Sequence, residues 1–163
     1  MTELIHFVVN GRKTALKVPA RLTLADMLRE ELHLKGCKVG CDQSVCGACT
    51  VLVDGVPLSA CSTLAFEVDG TAIETIEGVQ DGDTLSLVQR AFLETSGFQC
   101  GYCTPGMVLL ATALLRAHPQ PDEAETRAWM GANVCRCTGY TAIVEAVMRA
   151  AELTLAAAAE EHA

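Results

Sequence analysis

The sequence has few aromatic residues, few positive charges and no long apolar run, and each absence excludes a class of protein. Aromatic residues make up 4% of the chain, with Trp129 as the only tryptophan. Lys and Arg total 12 against 20 Asp and Glu, a formal net charge of −8. This balance argues against nucleic acid or an anionic membrane surface as a partner. No stretch reaches the roughly eighteen apolar residues that a membrane-spanning helix requires.

Sequence motifs for nucleotide binding and catalysis are also missing. No G-x-G-x-x-G follows a strand, and there is no P-loop. The histidines are scattered, without a nucleophile or carboxylate arranged beside them, and we expect them at the surface: His6, His33, His118 and His162. The N-terminus shows no basic region followed by a long apolar region, so we expect no signal peptide and a cytoplasmic protein. The chain offers no catalysis of its own.

Cysteine, in contrast, is abundant, with nine in 163 residues. In a cytoplasmic chain this number favours metal binding over disulfides. The first set has the spacing C-x4-C-x2-C followed by a fourth cysteine: Cys41, Cys46, Cys49 and Cys61. Plant-type [2Fe–2S] ferredoxins use this spacing, with four thiolates holding two irons. Gly40 and Gly47 would let backbone N–H groups approach the anionic sulfurs.

A second set of cysteines forms two close pairs, C-x2-C and C-x-C: Cys100, Cys103, Cys135 and Cys137. The pairs lie between the first two and the last two predicted helices, and an antiparallel bundle would bring both loops to one end. Four thiolates could then converge on one metal centre. A second iron–sulfur cluster and a structural zinc site both stay open on spacing alone. Cys37, the remaining cysteine, is interpreted as a small buried filler beside the first loop.

Residues 1–77 predict a small α+β unit with a helix across a mixed sheet. Asn10-Gly11 and Asp54-Gly55 are typical of two-residue hairpin turns, and each lies between two predicted strands. Thr23 begins a predicted helix that runs to about His33. The predicted strands cover residues 4–9, 12–18, 50–53, 56–58 and 71–76.

The second half of the chain predicts helices and no strand. Residues 77–83 are rich in glycine and acid and are interpreted as a linker. In the first helix of residues 84–158, we expect Leu85, Val88, Phe92 and Leu93 to form the buried face. The predicted helices cover residues 85–94, 107–117, 123–130 and 140–157, which together predict a four-helix bundle.

Both cysteine sets together resemble one family, the small iron–sulfur subunits of the molybdenum hydroxylases, the xanthine dehydrogenase and carbon monoxide dehydrogenase group. The resemblance covers residues 4–150, nearly the whole chain. The matching stretches, in the family's order, are Gly40-Cys41-Asp42, Cys46-Gly47-Ala48-Cys49-Thr50-Val51, Gln99-Cys100-Gly101-Tyr102-Cys103-Thr104-Pro105-Gly106-Met107 and Cys135-Arg136-Cys137-Thr138-Gly139-Tyr140.

The resemblance implies a fold, cofactors and partners. Residues 1–77 would form a plant-ferredoxin-like (β-grasp) domain with a [2Fe–2S] cluster near the surface. Residues 84–158 would form a helical bundle that holds a second [2Fe–2S] cluster against the molybdopterin of a large subunit. Gln99 and Cys137 would contact the pterin, since an amide can hydrogen-bond a pterin edge. A medium FAD-binding subunit is also expected, giving a heterotrimer that could dimerise.

The function implied is that of an electron-transfer subunit in a molybdenum-dependent oxidoreductase. Electrons would pass from the molybdopterin centre to a flavin or external acceptor while another subunit oxidises the substrate. A stand-alone two-cluster ferredoxin is one alternative, and it predicts a polar surface around Gln99 and Met107. The subunit hypothesis predicts an exposed apolar patch there. The other alternative is a one-cluster protein with a structural zinc.

Overall fold

The computed structural model of the protein describes residues 2–161. His162 lies outside the described residues, so its predicted surface position stays a prediction. The other three histidines are exposed, as predicted: His6, His33 and His118. Among the helices of the described range, none combines the length and the apolar character needed to cross a membrane.

The first half of the chain is built on a five-stranded mixed sheet with the strand order β2-β1-β5-β3-β4. β1 pairs antiparallel with β2 and parallel with β5, and β5 pairs antiparallel with β3. Together with the helices described below, this sheet confirms the predicted α+β class. The strands are β1 (Thr2–Val9), β2 (Arg12–Pro19), β3 (Thr50–Val53), β4 (Val56–Ser59) and β5 (Ala72–Glu74).

Both predicted hairpins are present. Asn10 and Gly11 have φ of 48° and 77° between β1 and β2. Asp54 and Gly55 have φ of 49° and 81° between β3 and β4. Positive φ at both central residues is the conformation that Asn-Gly and Asp-Gly dipeptides favour in hairpins, because its twist matches that of the strands.

The helix of the first half is shorter than predicted. The α1 helix (Leu24–Asp26) begins at Thr23, whose hydroxyl accepts a hydrogen bond from the Asp26 N–H at 3.1 Å. It continues as a wider π-helical turn over Met27–Glu31. His33 then adopts a φ of 58°, which stops the helix just short of the predicted end. Leu24 and Met27 are fully buried in the core of this half.

The described part of the second half is helical, and its first helix begins later than predicted. Ser86 is the N-cap: its hydroxyl accepts from the Gln89 N–H at 3.2 Å, and the Gln89 side chain accepts from the Ser86 N–H at 2.9 Å. Leu85 therefore lies outside the helix and is 41% exposed, and Leu93 within the helix is 53% exposed, so the predicted burial of both residues is wrong. The helices are α2 (Leu87–Glu94), α3 (Thr104–Ala117), α4 (Glu123–Met130) and α5 (Thr141–Glu161).

The segment interpreted as a linker is anchored to the folded structure. Val79 of this segment and Ile76 just before it pack on the core of the helical half, although the segment is poor in apolar residues. Glu77 accepts hydrogen bonds from the Gly36 N–H at 2.7 Å and from the Thr75 hydroxyl at 2.6 Å. The segment therefore contacts both halves, through Glu77 to the first half and through Val79 to the helical half.

The two halves share a small core where α3 crosses the sheet. Leu52 of β3 packs with Leu109 and Ala113 of α3, and all three are buried. At the edge of this contact, the Arg116 guanidinium forms a two-pronged ion pair with Glu74, with N–O distances of 2.6 and 3.0 Å. The helical half is therefore packed against the sheet.

Candidate metal centres

The first cysteine loop curls around the Cys41 sulfur. Backbone N–H groups of Val45, Cys46 and Gln43 donate to Cys41 Sγ at 3.4, 3.3 and 3.4 Å. Because these donors favour the thiolate, they lower the pKa of Cys41 to about 6. The loop thus presents N–H dipoles to an anionic sulfur, the environment that a thiolate-bound cluster requires.

The other members of the first set approach the same loop. Ser44 has a φ of 55° and donates its N–H to Cys61 Sγ at 3.4 Å, which joins the fourth cysteine to the loop. Cys49 and Cys61 are both buried. Burial raises the pKa of Cys49 to about 11. The first set therefore has an exposed side at Cys41 and a buried side at Cys49.

The second set lies at one end of the helical half, as its spacing predicted. The C-x2-C pair immediately precedes α3 and the C-x-C pair precedes α5. The sulfurs of Cys100 and Cys137, both exposed, are 3.6 Å apart. Burial, followed by the neighbouring Cys135, raises the pKa of Cys103 to about 12.

The donor set fits two [2Fe–2S] clusters. Each set contributes four thiols, and a [2Fe–2S] cluster takes two thiolates on each of its two irons. Soft sulfur ligands also suit iron–sulfur chemistry. Within residues 2–161, no three His, Cys, Asp or Glu side chains converge as they would around a single metal ion.

Cys37 is buried outside both sets. Its thiol is 3% exposed and donates to the carbonyl oxygen of Cys49 at 3.6 Å. Burial raises the pKa of Cys37 to about 12, with a further contribution from the neighbouring Cys49. This environment agrees with the interpretation of Cys37 as a buried filler beside the first loop.

Gln99 is exposed next to Cys100, whereas Met107 is fully buried in the helical core. An apolar groove of about 360 Å³ opens beside Gln99. Two of its residues, Leu85 and Leu93, are 41% and 53% exposed. Its apolar lining includes Ile76, Leu85, Phe92, Leu93, Phe98 and Pro105.

The sequence reasoning missed Asn133, which connects the two cysteine loops. This side chain is buried and donates through Nδ2 to the Thr50 hydroxyl and to the Gly106 carbonyl, both at 3.2 Å. The Thr50 hydroxyl in turn donates to the Gly47 carbonyl at 2.7 Å. Its partner Thr50 lies 83 positions away in sequence, so only the proximity of Asn133 to Cys135 could have drawn attention to it.

The backbones of the two loops are also in direct contact. The Val134 N–H, next to Cys135, donates to the carbonyl of Cys46 at 2.8 Å. The Tyr102 hydroxyl donates to the Val39 carbonyl at 2.9 Å. The Val134–Cys46 hydrogen bond thus links Cys46 of the first set directly to the residue before Cys135 of the second.

An Asn133→Ala variant should be destabilised by about 1–3 kcal/mol, because it leaves the Gly106 carbonyl buried without its donor. Urea unfolding followed by circular dichroism measures the difference. Val134→Ala is the matched control, since Val134 is 50% exposed and the variant keeps the N–H bonded to Cys46. Equal stability of the two variants would contradict a structural role for Asn133.

Two family profiles match the chain, and together they cover most of it. The profile described as "2Fe-2S iron-sulfur cluster binding domain" matches residues 7–72, and the one described as "[2Fe-2S] binding domain" matches residues 75–148. The first contains one cysteine set and the second contains the other.

Characterised relatives show the same similarity over nearly their whole length. The chain is 49% identical over 146 residues to the nicotine 6-hydroxylase small subunit of Paenarthrobacter nicotinovorans, covering 90% of this chain and 88% of the relative. It is 44% identical over 148 residues to the nicotinate dehydrogenase small FeS subunit of Eubacterium barkeri, covering 91% and 94%. In the crystal structure of quinoline 2-oxidoreductase from Pseudomonas putida 86, a chain with 41% identity superimposes with a TM-score of 0.91, covering 95% of this chain and 97% of that one.

Proposed function

Because the chain belongs to the small iron–sulfur subunits of the molybdenum hydroxylase family, we propose that it carries electrons from a molybdopterin centre on a large subunit to a flavin or external acceptor. The chain is the iron–sulfur subunit of an oxidoreductase and takes two [2Fe–2S] clusters as cofactors. When bound, the clusters supply one-electron chemistry, and the protein holds them and sets their surroundings.

We assign one cysteine set to each cluster. The first ligand set is Cys41, Cys46, Cys49 and Cys61. The second ligand set is Cys100, Cys103, Cys135 and Cys137. The approach of the Cys100 and Cys137 sulfurs supports the second set, and the N–H donors on Cys41 support the first.

The observation that carries the proposal is the contact between the two cysteine loops. The Val134 N–H donates a hydrogen bond to the Cys46 carbonyl at 2.8 Å. This bond joins Cys46 of the first ligand set to the residue that precedes Cys135 of the second. Asn133 fixes the same junction through Thr50 and Gly106. A chain that passes electrons between two clusters needs them at a short and constant separation, and this junction holds the ligand sets in that relation.

The surfaces at the two ends indicate the direction of transfer. Gln99 and Cys137 are exposed at the helical end, and we propose that both contact the pterin of the large subunit. The small apolar groove that includes Phe98, the neighbour of Gln99, would be covered by the large subunit in this arrangement. Met107, expected in this patch, is buried and contributes nothing to it. At the other end, Asp42 to Val45 are exposed and would face the next acceptor.

We further propose a heterotrimer with a flavin-binding third subunit on the side of the first loop. In this arrangement, residues 1–77 act as the outer domain and residues 84–158 as a four-helix bundle against the large subunit. The small-subunit names of the relatives support a multi-subunit complex in general.

Metal and cofactor analysis of the complex, purified through a tag on this chain, tests the proposal. Two [2Fe–2S] clusters give about four irons per chain, with no zinc, and we expect molybdenum and flavin to co-purify. Two irons with one zinc would contradict the relay and favour the one-cluster alternative. A tagged chain that carries four irons but purifies as a monomer without molybdenum would favour the stand-alone ferredoxin.

A further inference from the structure

Cys135 has a different environment from the other thiols of its set. It is 9% exposed, whereas Cys100 and Cys137 are exposed. The Thr138 hydroxyl donates to Cys135 Sγ at 3.1 Å, and the Thr138 N–H approaches the same sulfur at 3.5 Å. In the part of the chain that the structure describes, this is the one hydroxyl that donates to a cysteine sulfur of the second set.

The hydroxyl of Thr138 is held in place by the surrounding loop. The Tyr140 N–H donates to Thr138 Oγ1 at 3.2 Å, which occupies one acceptor position and leaves the hydroxyl proton for the sulfur. The Tyr140 ring hydroxyl accepts from the Cys135 N–H at 2.9 Å and donates to the Asn133 carbonyl at 2.8 Å. The loop closes on itself, so Thr138 keeps its orientation toward Cys135.

A donor aimed at a ligand sulfur changes the relative stability of two redox states. Reduction adds one electron to a [2Fe–2S] cluster, and its sulfurs carry part of the added negative charge. A hydrogen bond becomes stronger as its acceptor becomes more negative, so the donor stabilises the reduced state more than the oxidised one. Hydrogen bonds to sulfur are among the factors that set the potentials of such clusters. Burial strengthens the effect because no water competes for the sulfur.

We propose that Thr138 is a positioning residue that raises the reduction potential of the cluster held by the second cysteine set. The inference rests on the proposed function, since it takes Cys135 as a ligand of that cluster. One electron leaves the molybdopterin centre, which is oxidised, and reduces the cluster. Thr138 keeps its proton throughout, and no bond forms or breaks. A higher potential at this position favours withdrawal of the electron from the molybdenum side.

The test is a redox titration of the purified complex, followed by the EPR signals of the two clusters. Thr138→Val removes the hydroxyl and keeps the N–H and the branched shape. We expect the reduction equilibrium of the second cluster to shift about tenfold toward the oxidised form, a fall of about 59 mV for a one-electron couple. The potential of the first cluster stays unchanged, and Thr138→Ser, which keeps the hydroxyl, restores the second potential.

Three outcomes would overturn the inference. One is a Thr138→Val complex that titrates like the parent protein. The second is an equal shift in the Ser and Val variants, which would assign the effect to shape. The third is loss of iron from both the Thr138→Val and the Thr138→Ala variant. Thr138 would then serve to keep the cluster bound and not to set its reduction potential. A potential shift in a complex that lacks molybdenum would leave the inference standing and refute the proposed function.

Discussion

A Cys137→Ser variant is expected to lose electron transfer from the molybdenum centre to the acceptor while keeping the first cluster. Cys137 lies at the exposed end of the second set, with its sulfur 3.6 Å from that of Cys100. Serine conserves the size of the side chain but replaces a soft thiolate with a hydroxyl, a poor ligand for iron–sulfur clusters. Turnover with an external acceptor should fall more than about 100-fold, beyond the effect of changing an outer-shell partner.

EPR spectroscopy of the reduced complex separates the two cysteine sets. The signal of the first cluster should persist, because Cys41 and its N–H donors belong to a separate loop, and the second signal should be lost or altered. Cys37→Ser is the matched control: the Cys37 thiol donates to the Cys49 carbonyl, and a hydroxyl can donate there too. Two unaltered signals in the Cys137→Ser protein would refute the ligand assignment, and loss of a signal in the control would make Cys37 a ligand.

A Gly47→Ala variant should be destabilised by roughly 3–8 kcal/mol, the sum of three costs. Gly47 has a φ of 67°, a conformation that costs a residue with a side chain about 1–2 kcal/mol. An added Cβ would lie 1.6 Å from Asn133 Oδ1, so Asn133 must move and lose its buried hydrogen bonds. The crowding of the loop against its neighbour adds the third cost.

Gly55→Ala isolates the contribution of the backbone to this loss. Gly55 has a φ of 81°, and an added Cβ there would meet nothing within 4 Å. Its variant should lose only the conformational cost of about 1–2 kcal/mol. Urea unfolding of both variants, with iron content measured in parallel, gives the comparison. An equal loss of unfolding free energy in the two variants would contradict this prediction. It would show that Asn133 moves aside without destabilising the protein, and that the contact between the loops contributes little to stability.

Local features of the fold were predictable because neighbouring residues determine them. The hairpins at Asn10-Gly11 and Asp54-Gly55 follow from dipeptides that tolerate positive φ. The sheet order was not predictable, since the parallel pairing of β1 with β5 joins Val8 to Ala72 across the whole first half. Leu85 was misplaced because the capping residue Ser86 follows it, and a hydrophobic pattern alone does not locate the first turn of a helix.

In the site, too, features set by neighbouring residues were predictable and features set by distant residues were not. Cysteine spacing predicted two groups of thiols, and the structure brings Cys100 to within 3.6 Å of Cys137 across 37 positions. The role of Asn133 depends on groups in both halves of the chain, and no local pattern contains that information. Thr138 lies within the recognised C-x-C stretch, yet its hydroxyl could point in several directions until the loop conformation is known.

The junction at Gly47 also limits how this chain can exchange parts with its relatives. Each half has its own main core and matches its own family profile, which suggests that halves from two relatives could be combined in one gene. The contact between the two cysteine loops requires glycine at positions 47 and 106, because a Cβ at either position would collide with the facing loop. It also requires the side-chain amide of Asn133, which lies between the two glycines. A chimaera that joins halves from two parents would need these three positions to match, so the contact restricts which halves can be combined.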